Sequence, residues 1–324
     1  MGTIPGPKKL QDFDSFIWPL MQELLQLELG VKVYDVLSEA LFILHAYLII
    51  IIGDIPAISL LMHMKGHNAR LPCHMCKIIG VRGSFKTYYV PLNCRNCRNE
   101  NKSSMPAYYE PSTLPIHTHD NFFNEAHHVQ FSLNAAIAEK HAKEYGIKGI
   151  LVLSALSSLV FPSLFPYDFM HLIWENLIPN LISLWIGNFK GLPLTGEEYV
   201  LEKAILKEVC KASVRAGDTI PTAFGCHAPN LEKRREFTTK SIMLWTLYIT
   251  AIVLRGRFKN QKYYDHFIDL VCLLSLCLDF ELPRAKVTEI EDGFSQWVKT
   301  YEQLVASLEF QTTLLILLKA LLSV

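Results

Sequence analysis

His45-Ala46-Tyr47-Leu48-Ile49-Ile50-Ile51-Ile52-Gly53-Asp54, continued by Ile55-Pro56-Ala57, is the stretch on which the architecture turns. Four consecutive isoleucines are β-branched and stiff at χ1, which suits a strand buried on both faces. Gly53 and Pro56 end such a strand abruptly and leave the Asp54 carboxylate at its C-terminal tip, the edge where open α/β sheets gather ligands and catalytic groups. A second reading of the same residues makes Asp54 the cap of a helix starting near Ala57.

Composition narrows the class. A chain of 324 residues fits one large or two modest domains, and with half of its residues hydrophobic it is not a disordered chain. Lys plus Arg equals Asp plus Glu at 31 each, so a polyanionic partner requires local basic patches rather than overall charge. The charge-free stretch Ala40–Gly53 is 14 residues long, short of the roughly 20 that span a bilayer. Residues Gly149–Tyr167 are also uncharged but contain Pro162, Pro166 and four serines, and the apolar tail from Phe310 is interrupted by Lys319. The first residues lack the apolar core of a signal peptide. These features predict an intracellular protein with no stable membrane partner; a membrane-associated helical protein is the alternative.

Working outward, Phe13–Leu25 has helical periodicity, with Pro19 expected to bend it or mark a new start. Val31–Tyr34 reads as a short strand beside the isoleucine run, and Ala57–Lys65 as an amphipathic helix stopped by Gly66. Residues 67–118 are loop-like. Beyond them helices are predicted at 122–145, 169–186, 197–216, 235–254, 263–280 and 286–305. The layout is a small α/β piece followed by a large all-α region.

Two motifs carry chemistry. Cys73-His74-Met75-Cys76 and Cys94-Arg95-Asn96-Cys97 are separated by 17 residues, a spacing within the range of a four-thiolate zinc site. A mixed site using Cys73 and Cys76 with His67 and another ligand is the alternative. Arg70, Lys77, Arg82, Arg95 and Arg98 surround these cysteines and favour the thiolate form. The second motif is Asp168-Phe169-Met170-His171-Leu172-Ile173-Trp174-Glu175. Its spacing puts Asp168, His171 and Glu175 on one helix face, able to bind a divalent ion or orient a base. The plainer alternative is a capping Asp168 and a hydrogen-bonded core histidine.

Gly53–Ala57, the Met64-Lys65-Gly66-His67-Asn68 run into Cys73–Cys76, Tyr88–Leu92 and Asp168–Asn176 occur in one order. Together they resemble the transposases of CACTA (En/Spm-type) DNA transposons of mushroom-forming fungi, from about Gly6 to Glu302. The resemblance implies an RNase H-like core interrupted by a helical insertion, three acidic residues holding two Mg²⁺ ions, transposon-end DNA as partner, and a nuclear location. By residue, it implies that Asp54 is the second acidic position, that Asp168 and His171 open the insertion, and that Cys73 and Cys76 are the family CxxC. It divides the chain into a partial core at 1–66, a cysteine segment at 67–118, helical residues 119–305 and a divergent tail at 306–324.

Departures from the family are equally specific. The first acidic residue belongs on a strand preceding Gly6, where this sequence starts, and Lys240 stands near the third acidic position, with Glu236 close by. The expectation is a truncated, catalytically incomplete copy with structural Zn²⁺, no functional Mg²⁺ pair of its own, and weak DNA contacts through the cysteine-segment cations and Lys233-Arg234-Arg235. A domesticated zinc-bearing module that binds nucleic acid or protein is the competing function.

Overall fold

Asp12 starts the first helix by accepting a hydrogen bond from the Ser15 N–H at 3.1 Å. The computed structural model describes residues 12–66, 69–82, 88–89, 92–93, 108–189, 196–221, 228–231 and 237–304, with backbone alone at 81–82 and 88–89. These residues form two compact units. One comprises the chain up to Gly80 together with Pro115–Tyr167; the other comprises Val81–Leu114 and the chain from Asp168 onward.

In the first unit, α1 (Phe13–Leu29) runs through Pro19 without interruption. An interior proline costs roughly 3 kcal/mol in a helix. Here Met21 is fully buried and Ile17, Leu24 and Leu25 pack on the same core, which holds the helix together. Strand β1 (Val31–Asp35) pairs antiparallel with β2 (Ala40–Leu44), Val33 opposite Phe42. The four-residue loop between them is closed by Asp35, which accepts from the Leu37 N–H at 2.9 Å and the Ser38 hydroxyl at 2.7 Å.

The isoleucine run does not form the expected central strand. Residues 45–52 have no ladder; Ile51 donates its N–H to the Leu164 carbonyl at 2.9 Å, and Gly53 makes an isolated parallel bridge with Tyr167. Leu48 and Ile51 pack on the core, whereas Ile49, Ile50 and Ile52 face outward. A strand needs a ladder partner as well as stiff side chains, and among the described residues no strand pairs with 45–52. Among the described residues the sheets are two antiparallel pairs, β1–β2 and the short β3 (Val81–Arg82) with β4 (Tyr88–Tyr89). The fold is therefore mostly helical, with little sheet.

Helix α2 (Ile55–Leu61) follows Asp54 and ends four residues before the predicted last residue, Lys65. The segment predicted as one helix over 122–145 is two, α3 (His119–Gln130) and α4 (Ala135–Tyr145). The break falls where the Asn134 side chain caps α4 by accepting from the Ile137 N–H at 3.0 Å. Gly146 ends α4 at φ +75°, and a Cβ there would meet the Leu71 carbonyl oxygen at 2.8 Å, so both backbone and neighbour demand glycine. Phe161 anchors the core, its ring 5.5 Å from Phe122, 5.2 Å from Phe123 and 4.8 Å from Phe165.

The second unit is built on α5 (Ile178–Trp185), all eight residues of which are buried. A π-helical stretch, Met170–Leu177, leads into it. Pro179 has no N–H to donate, and its ring would crowd the Glu175 carbonyl in a tight α turn, so the wider turn ahead of it relieves the clash. Around this lie α6 (Lys203–Gly217), α7 (Thr239–Leu244), a second π-helical stretch at Trp245–Ile249, and α8 (Thr250–Val253). The long pair α9 (Gln261–Cys277) and α10 (Arg284–Leu304) completes the unit. His266 on α9 donates from Nε2 to the Trp297 carbonyl at 3.0 Å, and Trp297 on α10 returns its indole N–H to the His266 carbonyl at 2.7 Å. The two rings stack 4.2 Å apart. Glu302 accepts from the backbone N–H groups of Leu92 and Asn93, and Lys299 pairs with Glu110 at 2.5 Å. No helix among the described residues is long and apolar enough to cross a membrane.

Candidate functional site

Asp54 sits where the extended run turns into α2. Its Oδ1 accepts from the Ala57 N–H at 2.7 Å, the geometry of an N-cap, with Pro56 in the first turn. The capping alternative is thus what the structure shows, and a cap of this kind contributes about 1 kcal/mol. The bridge from the preceding Gly53 to Tyr167 sets the cysteine segment near this position, because the Tyr167 hydroxyl lies 3.3 Å from Cys73 Sγ.

Cys73 and Cys76 are both buried, and Cys73 Sγ accepts from the Cys76 N–H at 3.2 Å. Hydrogen bonding from Cys76 draws the Cys73 thiol well below its ordinary range despite burial, and the Tyr167 hydroxyl adds to the effect. Cys73 is thereby disposed to supply thiolate, the form a soft metal takes. Burial first, and then the charge at Cys73, push the Tyr167 phenol upward.

Two histidines flank the pair. His74 donates from Nε2 to the Phe165 carbonyl at 2.8 Å, and its ring lies 4.2 Å from that of Tyr167. His117 is 2 % exposed and has no hydrogen-bond partner for either ring nitrogen, while its N–H binds the Met75 carbonyl inside the CxxC turn at 2.9 Å. Burial pushes both imidazoles down to about 4. Tyr167 and His117 were not singled out from the sequence. For Tyr167 the signal was its place next to Asp168; for His117 it was its place beside Ile116, which bridges to Cys76.

Two buried cysteine sulfurs are the donor type of half a tetrahedral zinc shell. Among the described residues no three His, Cys, Asp or Glu side chains converge on a metal position. The other expected ligands, His67, Cys94 and Cys97, lie outside the described residues. Asp54 brings a single carboxylate, engaged with the Ala57 N–H.

In the second unit the structure brings Asp168, His171 and Glu175 together. Asp168 Oδ1 accepts from the Met170 and His171 N–H groups at 2.8 and 3.2 Å, while Oδ2 lies 2.8 Å from His171 Nδ1. Partial burial raises the Asp168 carboxyl, but the His171 side-chain and backbone hydrogen bonds outweigh it and leave the group below its ordinary value. His171 Nε2 is 3.7 Å from Glu175, which accepts from the Thr239 hydroxyl at 2.8 Å. Asp168 therefore both caps the helix start and hydrogen-bonds the His171 imidazole, which is part-exposed and not in the core.

Of the basic residues, Lys77 is committed to Glu125 at 2.6 Å. Arg70 is partly buried in the first unit and offers its carbonyl to the Gly80 N–H at 2.6 Å, and Arg82 belongs to β3. Arg95, Arg98, Lys233, Arg234 and Arg235 lie outside the described residues.

No curated protein and no solved structure matches the chain. Residues 2–93, which include α1, the β1–β2 hairpin, Asp54, Cys73 and Cys76, match the transposase family tnp2. That match supports a transposase-derived protein.

Proposed function

We propose that the chain is a catalytically incomplete DNA-binding derivative of a CACTA-type transposase, stabilised by zinc and acting in the nucleus on transposon-end DNA. The single observation that carries this reading is the match of residues 2–93 to transposase family tnp2. Asp54, at the family's second acidic position, serves as a helix cap. Two divalent cations about 4 Å apart need several converging carboxylates to offset their repulsion. Cys73 and Cys76 would hold zinc with His67 or the Cys94–Cys97 pair. Zinc there would close the loop between its ligands and contribute folding free energy rather than chemistry. The cations of the cysteine segment and Lys233–Arg235 would contact phosphate, and Lys77 would contribute least because Glu125 already neutralises it.

The full chain is incubated with labelled duplex DNA and Mg²⁺ or Mn²⁺. The expected result is binding that weakens steeply with salt, by counterion release, and no strand cleavage. Divalent-dependent nicking abolished by Asp54→Ala would overturn the incompleteness, and an absence of DNA binding at low salt would overturn the DNA partner. Metal analysis of the same preparation is expected to find about one zinc per chain, released by Cys73→Ser. Zinc content unchanged in Cys94→Ser selects the mixed site with His67.

A further inference from the structure

Tyr167 is fixed beside Cys73 through its backbone, its ring and its hydroxyl. The backbone bridges in parallel to Gly53, and close by the Leu164 carbonyl accepts from the Ile51 N–H at 2.9 Å. The ring lies 4.2 Å from that of His74, which is itself anchored by its 2.8 Å bond to the Phe165 carbonyl. The hydroxyl then stands 3.3 Å from Cys73 Sγ. Both groups are enclosed, the tyrosine 9 % and the cysteine 2 % exposed.

A cysteine bound to a metal is a thiolate and has no proton to give. In water its charge draws hydrogen bonds from solvent; a buried sulfur must find its donors in the protein. Two protein donors lie within reach of Cys73 Sγ, the Cys76 N–H at 3.2 Å and the Tyr167 O–H. The first is local to the CxxC turn. The second comes from 94 residues away, so the fold has to bring it there.

We propose that Tyr167 is a positioning residue of the cysteine site, donating its hydroxyl to the Cys73 thiolate when Cys73 and Cys76 hold a divalent metal. The inference rests on the zinc reading above. A donor of this kind orients the ligand and sets its basicity, and its loss typically costs about 10–100-fold in metal affinity. Because Gly53 and His74 hold the rest of the side chain, the hydroxyl is in place before metal arrives. No further ordering of Tyr167 is then needed on binding.

Cobalt(II), added to the full chain after treatment with a chelator, is the probe, because thiolate bound to it absorbs through sulfur-to-metal charge transfer. The wild type is expected to show that band. In Tyr167→Phe, which removes only the hydroxyl, the band is expected at longer wavelength, since a sulfur relieved of a hydrogen bond gives up its electrons more readily. Zinc affinity, read by competition with a chromophoric chelator, is expected to fall about tenfold or more. Tyr301→Phe makes the same change at another buried tyrosine, in the second unit, and is expected to alter neither reading. An unmoved band with unchanged affinity in Tyr167→Phe would overturn the inference and leave the zinc site standing. Lost affinity with an unmoved band would mark a merely structural role and overturn it equally, as would the same shift in Tyr301→Phe. A wild type that binds neither cobalt nor zinc would overturn the zinc reading and this inference with it.

Discussion

At pH 5 the protein is expected to unfold at a lower urea concentration than at pH 7, with His266 supplying on the order of 2 kcal/mol of the difference. His266 lies buried between α9 and α10 against the rings of Trp297 and Tyr301. Burial pushes its imidazole from the ordinary 6.5 down to about 4, although its bond to the Trp297 carbonyl opposes the shift. In the unfolded chain the ring takes up a proton near pH 6.5; in the native protein it does so only near pH 4. Between these values the unfolded state binds more protons, so stability present above about 6.5 is lost progressively as pH falls toward 4. His266→Gln should reduce the pH dependence over that window. An unchanged slope between pH 7 and 5 in this variant would show that His266 is not the titrating group.

Replacement of Phe161 by alanine is expected to cost about 3–5 kcal/mol, the range for a fully buried aromatic cut back to a methyl group. Phe161 touches Phe122, Phe123 and Phe165 at once, so no single neighbour can move into the space without abandoning another ring. Urea denaturation followed by circular dichroism gives the difference directly. Phe161→Leu, which keeps much of the volume, should lose clearly less. Equal losses in the two variants would mean that the site depends on ring stacking rather than on filled space.

The helices were legible where apolar periodicity ran unbroken, as along α9 and α10, because a repeating stripe buries itself in only one way. The spacing of Asp168, His171 and Glu175 was legible for the same local reason. Features set by a single side chain or by distant partners were not. Asn134 splits one predicted helix with one hydrogen bond, and Pro19 is tolerated because Met21 and its neighbours are held by the core. The isoleucine run reads as a central strand, but nothing local to it says whether a partner strand lies beside it, and among the described residues none does. Tyr167 reaches Cys73 across 94 residues of sequence, a contact that no spacing rule encodes.

The bond from Glu302 to the Leu92 N–H closes a loop of 210 residues. Its consequence lies in the order of events during synthesis. The first unit has all of its described residues once Tyr167 has emerged, whereas Val81–Leu114, already made by then, must wait for α10. At typical elongation rates of about 5–20 residues per second, that wait lasts roughly 10–40 s. During it Leu92 and the Glu110 turn lack their anchors on Glu302 and Lys299. This nascent interval is when a protease or chaperone would meet Leu92 and Glu110 without their partners on α10.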